Sequence, residues 1–210
     1  MHKFLLIDDH VVVRSGIKLL LSSIYEGCEI HEAKDGETAT AFVKENHYDF
    51  VMLDVQMPNT DSFLLMEYFK ASFPLLKVLV FSMNSESIYA LRFIKAGAMG
   101  FISKEAPLDE VKKAINQVVN GKKYISEEML FVLAEGTSAS NTNQNPFSNL
   151  SAREFEIVSM LLNGKTISVI AIDLNLGIST VGTHKGRIFN KLKVANLLEL
   201  KELANSYNLK

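Results

Sequence analysis

The sequence predicts an α/β fold, a doubly wound five-stranded parallel sheet, followed by a small all-α domain of four helices. Three observations predict it. Short apolar strands alternate with amphipathic helices through residues 1–125. Several of those strands, Phe50–Leu53 and Val78–Phe81 among them, are apolar without a break, the pattern of strands buried on both faces. A small, polar stretch then leads into a segment where only helical periodicity remains.

The strand candidates are Phe4–Ile7, Glu29–Glu32, Phe50–Leu53, Val78–Phe81 and Gly100–Ile102. Phe50–Leu53 and Val78–Phe81 read as continuous apolar runs. Between strands the period changes. Val13, Ile17, Leu20, Leu21 and Ile24 recur at the spacing of one helix face. Leu108, Val111, Ile115, Val118 and Val119 do the same, with Pro107 near the helix start. Repeated strand–helix units imply a parallel sheet. Such sheets bind ligands at the carboxyl ends of their strands.

Gly136–Asn149 reads GTSASNTNQNPFSN and is expected to be a flexible linker. The chain therefore divides into residues 1–125, a helical extension and linker over 126–147, and a terminal domain over 148–210. In that last domain Ser151 and Glu154 have capping-box spacing, and Leu150 can staple onto Phe155. Ile157, Val158, Leu161 and Leu162 form a helix face that Gly164 closes. Further helices are expected at about Ile167–Leu174, Ser179–Leu192 and Asn196–Tyr207. Asn175-Leu176-Gly177 separates the first two by a turn of helix-turn-helix length.

Bulk properties narrow the function class. The net charge of −2 hides an asymmetry. Residues 1–125 carry −2, residues 126–146 carry −3 and residues 147–210 carry +3. A basic tail behind an acidic body permits a nucleic-acid partner. Cys28 is the only cysteine, which excludes an intramolecular disulfide and a cysteine-based metal site. No apolar run approaches the roughly 18 residues of a membrane span. The short apolar start runs into Asp8 and Asp9 and does not read as a signal peptide. The expectation is a cytoplasmic protein with no membrane association.

The polar residues at strand ends are informative. Asp8 and Asp9 follow the first strand, Asp54 the third, Ser82 the fourth and Lys104 the fifth. All five converge on one edge of the sheet. Crowded carboxylates repel and raise one another's pKa unless a cation joins them. Oxygen ligands of this kind suit Mg²⁺. An anchored aspartate can attack phosphorus and form an aspartyl phosphate. Lys104 would neutralise phosphoryl oxygens and Ser82 would hydrogen-bond one. Singly, each residue has a plainer reading: an acid pair or a serine caps a helix, a lysine is a solvated charge, Phe101 is a core aromatic. Their recurrence at the same end of successive strand–helix units carries the chemical reading.

Residues 1–125 resemble the receiver domain of two-component response regulators. The matching stretches are Leu6-Ile7-Asp8-Asp9-His10, Val51 to Pro58 around Asp54, Val80-Phe81-Ser82, and Gly97 to Lys104. The resemblance implies a flavodoxin-like sheet of order 2-1-3-4-5. It implies that Asp54 accepts the phosphoryl group. It implies that Asp8, Asp9, Asp54 and the Gln56 backbone carbonyl hold Mg²⁺. Ser82 and Lys104 would sense the phosphoryl group, and Phe101 occupies the switch-aromatic position. Ser62 stands where the family often has glycine.

Residues 148–210 resemble the LuxR-type helix-turn-helix domain of the NarL/FixJ response regulators. The resemblance rests on Leu150 to Glu154, Leu161 to Gly164, Ile170-Ala171, Leu174, Ile178 to His184, and Ile188, Lys191 and Leu192. The tail from Lys191 to Leu209 looks most like the BvgA/EvgA branch. Ser179–Leu192 is then the recognition helix. Val181, Ile188 and Leu192 are read as its core face. Thr180, Gly182, Thr183, Lys185, Gly186, Arg187, Asn190 and Lys191 are the DNA-contact candidates. His184 is read as a packed, hydrogen-bonded residue. The chain departs from the family at Ser168, Ile172 and Asp173, where basic residues are common, and at Gly182 and Gly186, where side chains commonly face bases.

The resemblance implies a transcriptional response regulator and not an enzyme. A cognate sensor histidine kinase, double-stranded DNA and a second copy of the chain, as a homodimer, are its implied partners. A haloacid-dehalogenase-like phosphatase would need Asp-x-Asp-x-Thr after the first strand, which Asp8-Asp9-His10-Val11-Val12 does not supply. The alternative is a phospho-switch that acts through protein partners.

Overall fold

The computed structural model describes the chain apart from Met1, Asn59, Asn84, Ser85, Glu128, residues 131–145, Asn175, Asn208 and Lys210, and apart from the side chains of Ser87, Ile88, Ser148 and Ala152. The chain divides into two compact units, Met1–Ala134 and Glu135–Lys210.

The first unit alternates β1 (Lys3–Ile7), α1 (Val11–Ile24), β2 (Glu29–Ala33), α2 (Gly36–Glu45), β3 (Phe50–Leu53), α3 (Ser62–Ser72), β4 (Val78–Ser82), α4 (Glu86–Ala96), β5 (Gly100–Ser103) and α5 (Leu108–Val119). The strands form one parallel sheet in the order β2-β1-β3-β4-β5, as the resemblance implied. Alternate strand residues face opposite sides. Phe4, Leu6, Phe50, Met52, Leu79, Phe81 and Ile102 pack with Ile17, Leu20 and Leu21 of α1 and Val111, Ala114, Ile115 and Val118 of α5. Leu5, Ile7, Val51, Leu53, Val80 and Phe101 are buried as well and turn to the other face.

The expected face of α5 needs one correction. Leu108 is exposed, because it opens the helix directly after the N-cap Pro107, while Val111 to Val119 supply the buried face. Ser126 begins a further turn, in which the Met129 amide donates to the Ser126 hydroxyl. Most of the expected linker lies outside the described residues. Its last four residues, Pro146–Asn149, form a 3₁₀ turn instead of open coil. Phe147 explains this: its ring is buried edge-on to Tyr207, with centroids 6.2 Å apart.

The second unit continues with α6 (Ala152–Leu162), α7 (Ile167–Asp173), α8 (Ile178–Leu192) and α9 (Leu197–Ser206). The capping box forms as its spacing predicts. The Ser151 hydroxyl accepts from the Glu154 amide at 3.2 Å, and the Ser151 amide donates to Glu154 Oε2 at 2.7 Å. Gly164 adopts φ +78°, which lets the chain turn back with Lys165 N–H on the Met160 carbonyl. Thr166 and Asn196 cap the following helices. Phe155, Ile157, Val158, Ile170, Val181, Ile188 and Leu200 are fully buried. Helices α7 and α8 meet at 112°, within the range of a helix-turn-helix. Among the described residues, no single helix is long and apolar enough to cross a membrane.

Candidate functional site

Parallel pairing extends one residue past the strands and sets the acids side by side. The Asp8 amide donates to the Ala33 carbonyl, the Asp54 amide to the Ile7 carbonyl, and the Lys104 amide to the Ser82 carbonyl. Asp8, Asp54 and Lys104 are thereby held at the carboxyl edge of β1, β3 and β5, as expected for an open α/β sheet. Lys104 Nζ lies 2.6 Å from Asp8 Oδ2 and 2.9 Å from Asp54 Oδ2. Asp54 is 2% exposed and Ser82 is fully buried at the end of β4. The Gln56 amide donates to Asp54 Oδ1 at 3.2 Å.

Electrostatics leave this cluster short of positive charge. Burial, above all, pushes the Asp54 carboxyl above its ordinary pKa; Lys104 pulls it down and Asp8 adds to the rise. Burial alone would lower the Lys104 ammonium, but the Asp8 and Asp54 carboxylates outweigh it and hold Lys104 above its usual value. Asp8 and Asp54 thus share one ammonium, and the Asp9 carboxylate stands beside them. Among the described residues nothing hydrogen-bonds the covered Asp9 Oδ1, although His10 Nδ1 lies 2.9 Å away. Ligand atoms of Asp8, Asp9, His10 and Asp54 all lie within 4.8 Å of one another. An oxygen-rich cluster with an unsatisfied buried oxygen fits a hard divalent cation.

Phe101 is fully buried and points inward. Its ring lies 6.2 Å from Phe93, which stacks on Phe63 at 4.1 Å. Ser62 fits the loop despite replacing glycine: its hydroxyl donates to the Asp54 and Val55 carbonyls at 3.1 and 2.8 Å. It needs no left-handed backbone, since Lys193 is the one described non-glycine residue with positive φ.

In the second unit, Val181, Ile188 and Leu192 of α8 are buried as the periodicity predicts. Thr180, Thr183, Gly186, Arg187, Asn190 and Lys191 are exposed, and Gly182 and Lys185 partly so. Helix α8 starts one residue earlier than expected, at Ile178, with Gly177 as its cap. A Cβ added at Gly182 or Gly186 would meet nothing within 4 Å, so internal packing does not require either glycine. Two of the α8 side chains have surroundings the periodicity does not give. Lys191, a DNA-contact candidate, is exposed and also lies 2.6 Å from the buried carboxylate of Glu154. His184 is packed as expected, but among the described residues nothing hydrogen-bonds its covered Nδ1.

Several contributors escape a reading of the sequence. His10 approaches both Asp8 and Asp9. Arg14 reaches the Asp8 carbonyl from α1. Ser126 donates its hydroxyl to the buried carboxylate of Glu86, the first residue of α4. Only Arg14 left a signal, as the lone arginine on an otherwise apolar helix start.

Comparison with known proteins agrees with this geometry. Residues 4–116 match the response regulator receiver domain family, and residues 148–204 match the bacterial regulatory proteins of the luxR family. Response regulator UvrY of Escherichia coli K12 is 32% identical over 98% of this chain and 94% of its own length. Response regulator GacA of Pseudomonas aeruginosa is 36% identical over 97% of this chain and 95% of its own. RcsB from Salmonella enterica serovar Typhimurium, bound to promoter P1flhDC in the presence of phosphomimetic BeF3⁻, shares the fold with a TM-score of 0.74. Its identity is 24%, over 98% of each chain. The chain therefore belongs to the response regulators that join a receiver domain to a LuxR-type helix-turn-helix domain, the NarL/FixJ arrangement.

Proposed function

We propose that this transcriptional response regulator is switched by phosphoryl transfer to Asp54 from a cognate sensor histidine kinase. The observation that carries this reading is a carboxylate 2% exposed, held 2.9 Å from Lys104 and beside Asp8. An Asp54 oxygen attacks phosphorus, the new O–P bond forms, and the phosphohistidine N–P bond breaks. Lys104 faces the developing phosphoryl charge, and Ser82 supplies a hydroxyl to it. Asp8, Asp9, Asp54 and the Gln56 carbonyl would hold Mg²⁺. When bound, the ion offsets the negative charge of the acids and of the phosphoryl oxygens. The added dianion then biases Ser82 and Phe101, and with them the β4–α4–β5 face.

The output we assign to residues 148–210 is double-stranded DNA binding, with residues 1–125 as receiver and 126–147 as connection. Thr180, Gly182, Thr183, Lys185, Gly186, Arg187 and Asn190 form the contact surface of α8, with Lys191 at its flank. RcsB is solved on promoter DNA, which supports this assignment. A homodimer would set two such helices about one DNA turn, roughly 34 Å, apart. A DNA-binding output is what supports our assignment of the protein to the cytoplasm. The tail from Lys191 to Leu209 alone supports the BvgA/EvgA branch. Bare Gly182 and Gly186, with Ile172 exposed on α7, also favour a second reading, an output through protein partners.

The phosphoryl site is tested by labelling the full chain from a small phosphodonor. Label is expected with Mg²⁺, and none with excess chelator or in Asp54→Asn. Label persisting on Asp54→Asn would overturn the assignment.

A further inference from the structure

Arg14 is a largely covered cation, its side chain 12% exposed, on the first turns of α1. Nη1 donates to the Asp8 carbonyl at 2.6 Å, and Nε donates to Glu32 Oε2 at 3.1 Å. Glu32 also takes Lys18 at 2.8 Å. Lys18, first, and Arg14 after it hold the Glu32 carboxyl below its ordinary pKa against a smaller burial penalty, so it stands ionised opposite the guanidinium. The Asp8 amide meanwhile donates to the Ala33 carbonyl at 3.1 Å. Both backbone groups of Asp8 are thus tied to the end of β2, one directly and one through Arg14.

The turn that follows depends on that tie. The Asp8 carbonyl starts the peptide to Asp9, and the His10 amide folds back onto Asp8 Oδ1 at 2.7 Å. Rotating the Asp8–Asp9 peptide would turn the Asp9 carboxylate away from Asp8 and Asp54 and break the fold-back of the His10 amide onto Asp8. A guanidinium has donors on two edges of one rigid plane, so it can bridge a carbonyl and a carboxylate together. An ammonium is a point donor and has no such fixed span. A solvated surface charge would not be covered and doubly bonded in this way. Arg14 reaches a backbone carbonyl and Glu32; it does not reach the acids' own oxygens.

We infer that Arg14 is the positioning residue of the acidic site: it locks the Asp8–Asp9 turn in the geometry that captures a divalent cation. The inference rests on the reading of Asp8, Asp9 and Asp54 as a cation and phosphoryl site. Outer partners that orient metal ligands are worth about 10–100-fold in metal affinity. They act on the assembly of the site and not on the transfer step, so a saturating cation should restore the rate.

The test uses the full chain with Mn²⁺ as a paramagnetic probe of the cation site. Free Mn²⁺ is read by electron paramagnetic resonance, and labelling from a small phosphodonor is measured across Mn²⁺ concentrations. Arg14→Ala is expected to raise the Mn²⁺ dissociation constant about tenfold or more. Its labelling rate at saturating Mn²⁺ should stay near that of the wild type. Arg14→Lys, which keeps charge and stem, should also weaken Mn²⁺ binding, and it carries the test if Arg14→Ala does not fold. Thermal unfolding in chelator reports any merely structural loss. Unchanged Mn²⁺ affinity in the folded variant would overturn the inference, whether or not its melting point falls. So would a labelling rate lost even at saturation. Asp9→Asn separates the two claims. Mn²⁺ binding lost there but kept in Arg14→Ala removes the role of Arg14 alone. A wild-type chain that takes up no Mn²⁺ removes the reading of the site itself.

Discussion

The acidic pocket and helix α8 are organised in opposite ways. In the pocket nearly every polar group is already engaged with another member of the site. Lys104 bridges Asp8 and Asp54, the Gln56 amide meets Asp54, and Ser62 closes the loop behind it. On α8 the exposed side chains are nearly independent of each other. Thr183 bonds back to the Ser179 carbonyl, and Lys185 lies over the Phe189 ring at 5.2 Å. Crowded, buried charge has to be arranged in advance, because an unpaired buried charge is costly. A phosphate-facing surface stays solvated until the nucleic acid arrives, and salt governs its affinity. The pocket can therefore be read from its own contacts, whereas α8 is read from what it leaves exposed.

The comparison breaks most visibly at Lys104. Lys104→Ala would leave Asp8 and Asp54 buried together without their shared cation. Breaking a buried pair from one side costs about 3–5 kcal/mol. In chelator the receiver of this variant should unfold at markedly lower denaturant, and Mg²⁺ should recover part of the loss. Equal stability of variant and wild type in chelator would mean that the pocket is not electrostatically interlocked.

Gly186 provides a smaller and oppositely signed change. Glycine inside a helix is less stable than alanine by about 0.5–1 kcal/mol. A Cβ there meets nothing, so Gly186→Ala should stabilise the output domain by that amount, read from its thermal unfolding. If the bare backbone lets α8 approach DNA closely, the same variant should bind DNA more weakly. Unchanged or tighter binding would show that this face has only lost its base-reading side chains.

The smallest effect expected is the pH dependence of the Glu154–Lys191 tie. Burial raises the Glu154 carboxyl, but Lys191 and the Ser151 amide outweigh it, and the net pKa lies below the ordinary value. A folded-state pKa below the unfolded one stabilises the fold above the unfolded value of about 4.3 and loses that contribution as pH falls through the lower folded value. Hydrogen exchange in α6 should therefore rise more steeply on acidification in the wild type than in Glu154→Gln. Parallel profiles would mean that the contact in α6 carries no stability.

Legibility in the sequence followed the same division. Strand ends were readable because an apolar run that stops at an acid, a hydroxyl or a lysine marks the sheet edge. Asp8, Asp54, Ser82 and Lys104 are thus legible as strand-end residues from the sequence alone. The face Val181, Ile188 and Leu192 was readable from periodicity alone. Contacts made at long range were not. Glu154 announces a capping box three residues away, but nothing local announces Lys191, thirty-seven residues on. Leu108 obeyed the helical period yet lies exposed, since period says nothing of where a helix overhangs its sheet. Phe147 was lost among small polar neighbours although it is buried in the second unit.

The two regions are joined by one proposal, that charge placed on Asp54 changes what α8 can bind. The most direct measurement is a gel shift of the full chain on double-stranded genomic fragments, with Mg²⁺ and with or without beryllofluoride. Coupling between sites of this kind is worth about 5–150-fold. Wild-type protein should shift DNA at no more than about one fifth of the concentration once beryllofluoride is present, and Asp54→Asn should not respond. Identical shifts with and without beryllofluoride, in protein that still labels at Asp54, would contradict the account.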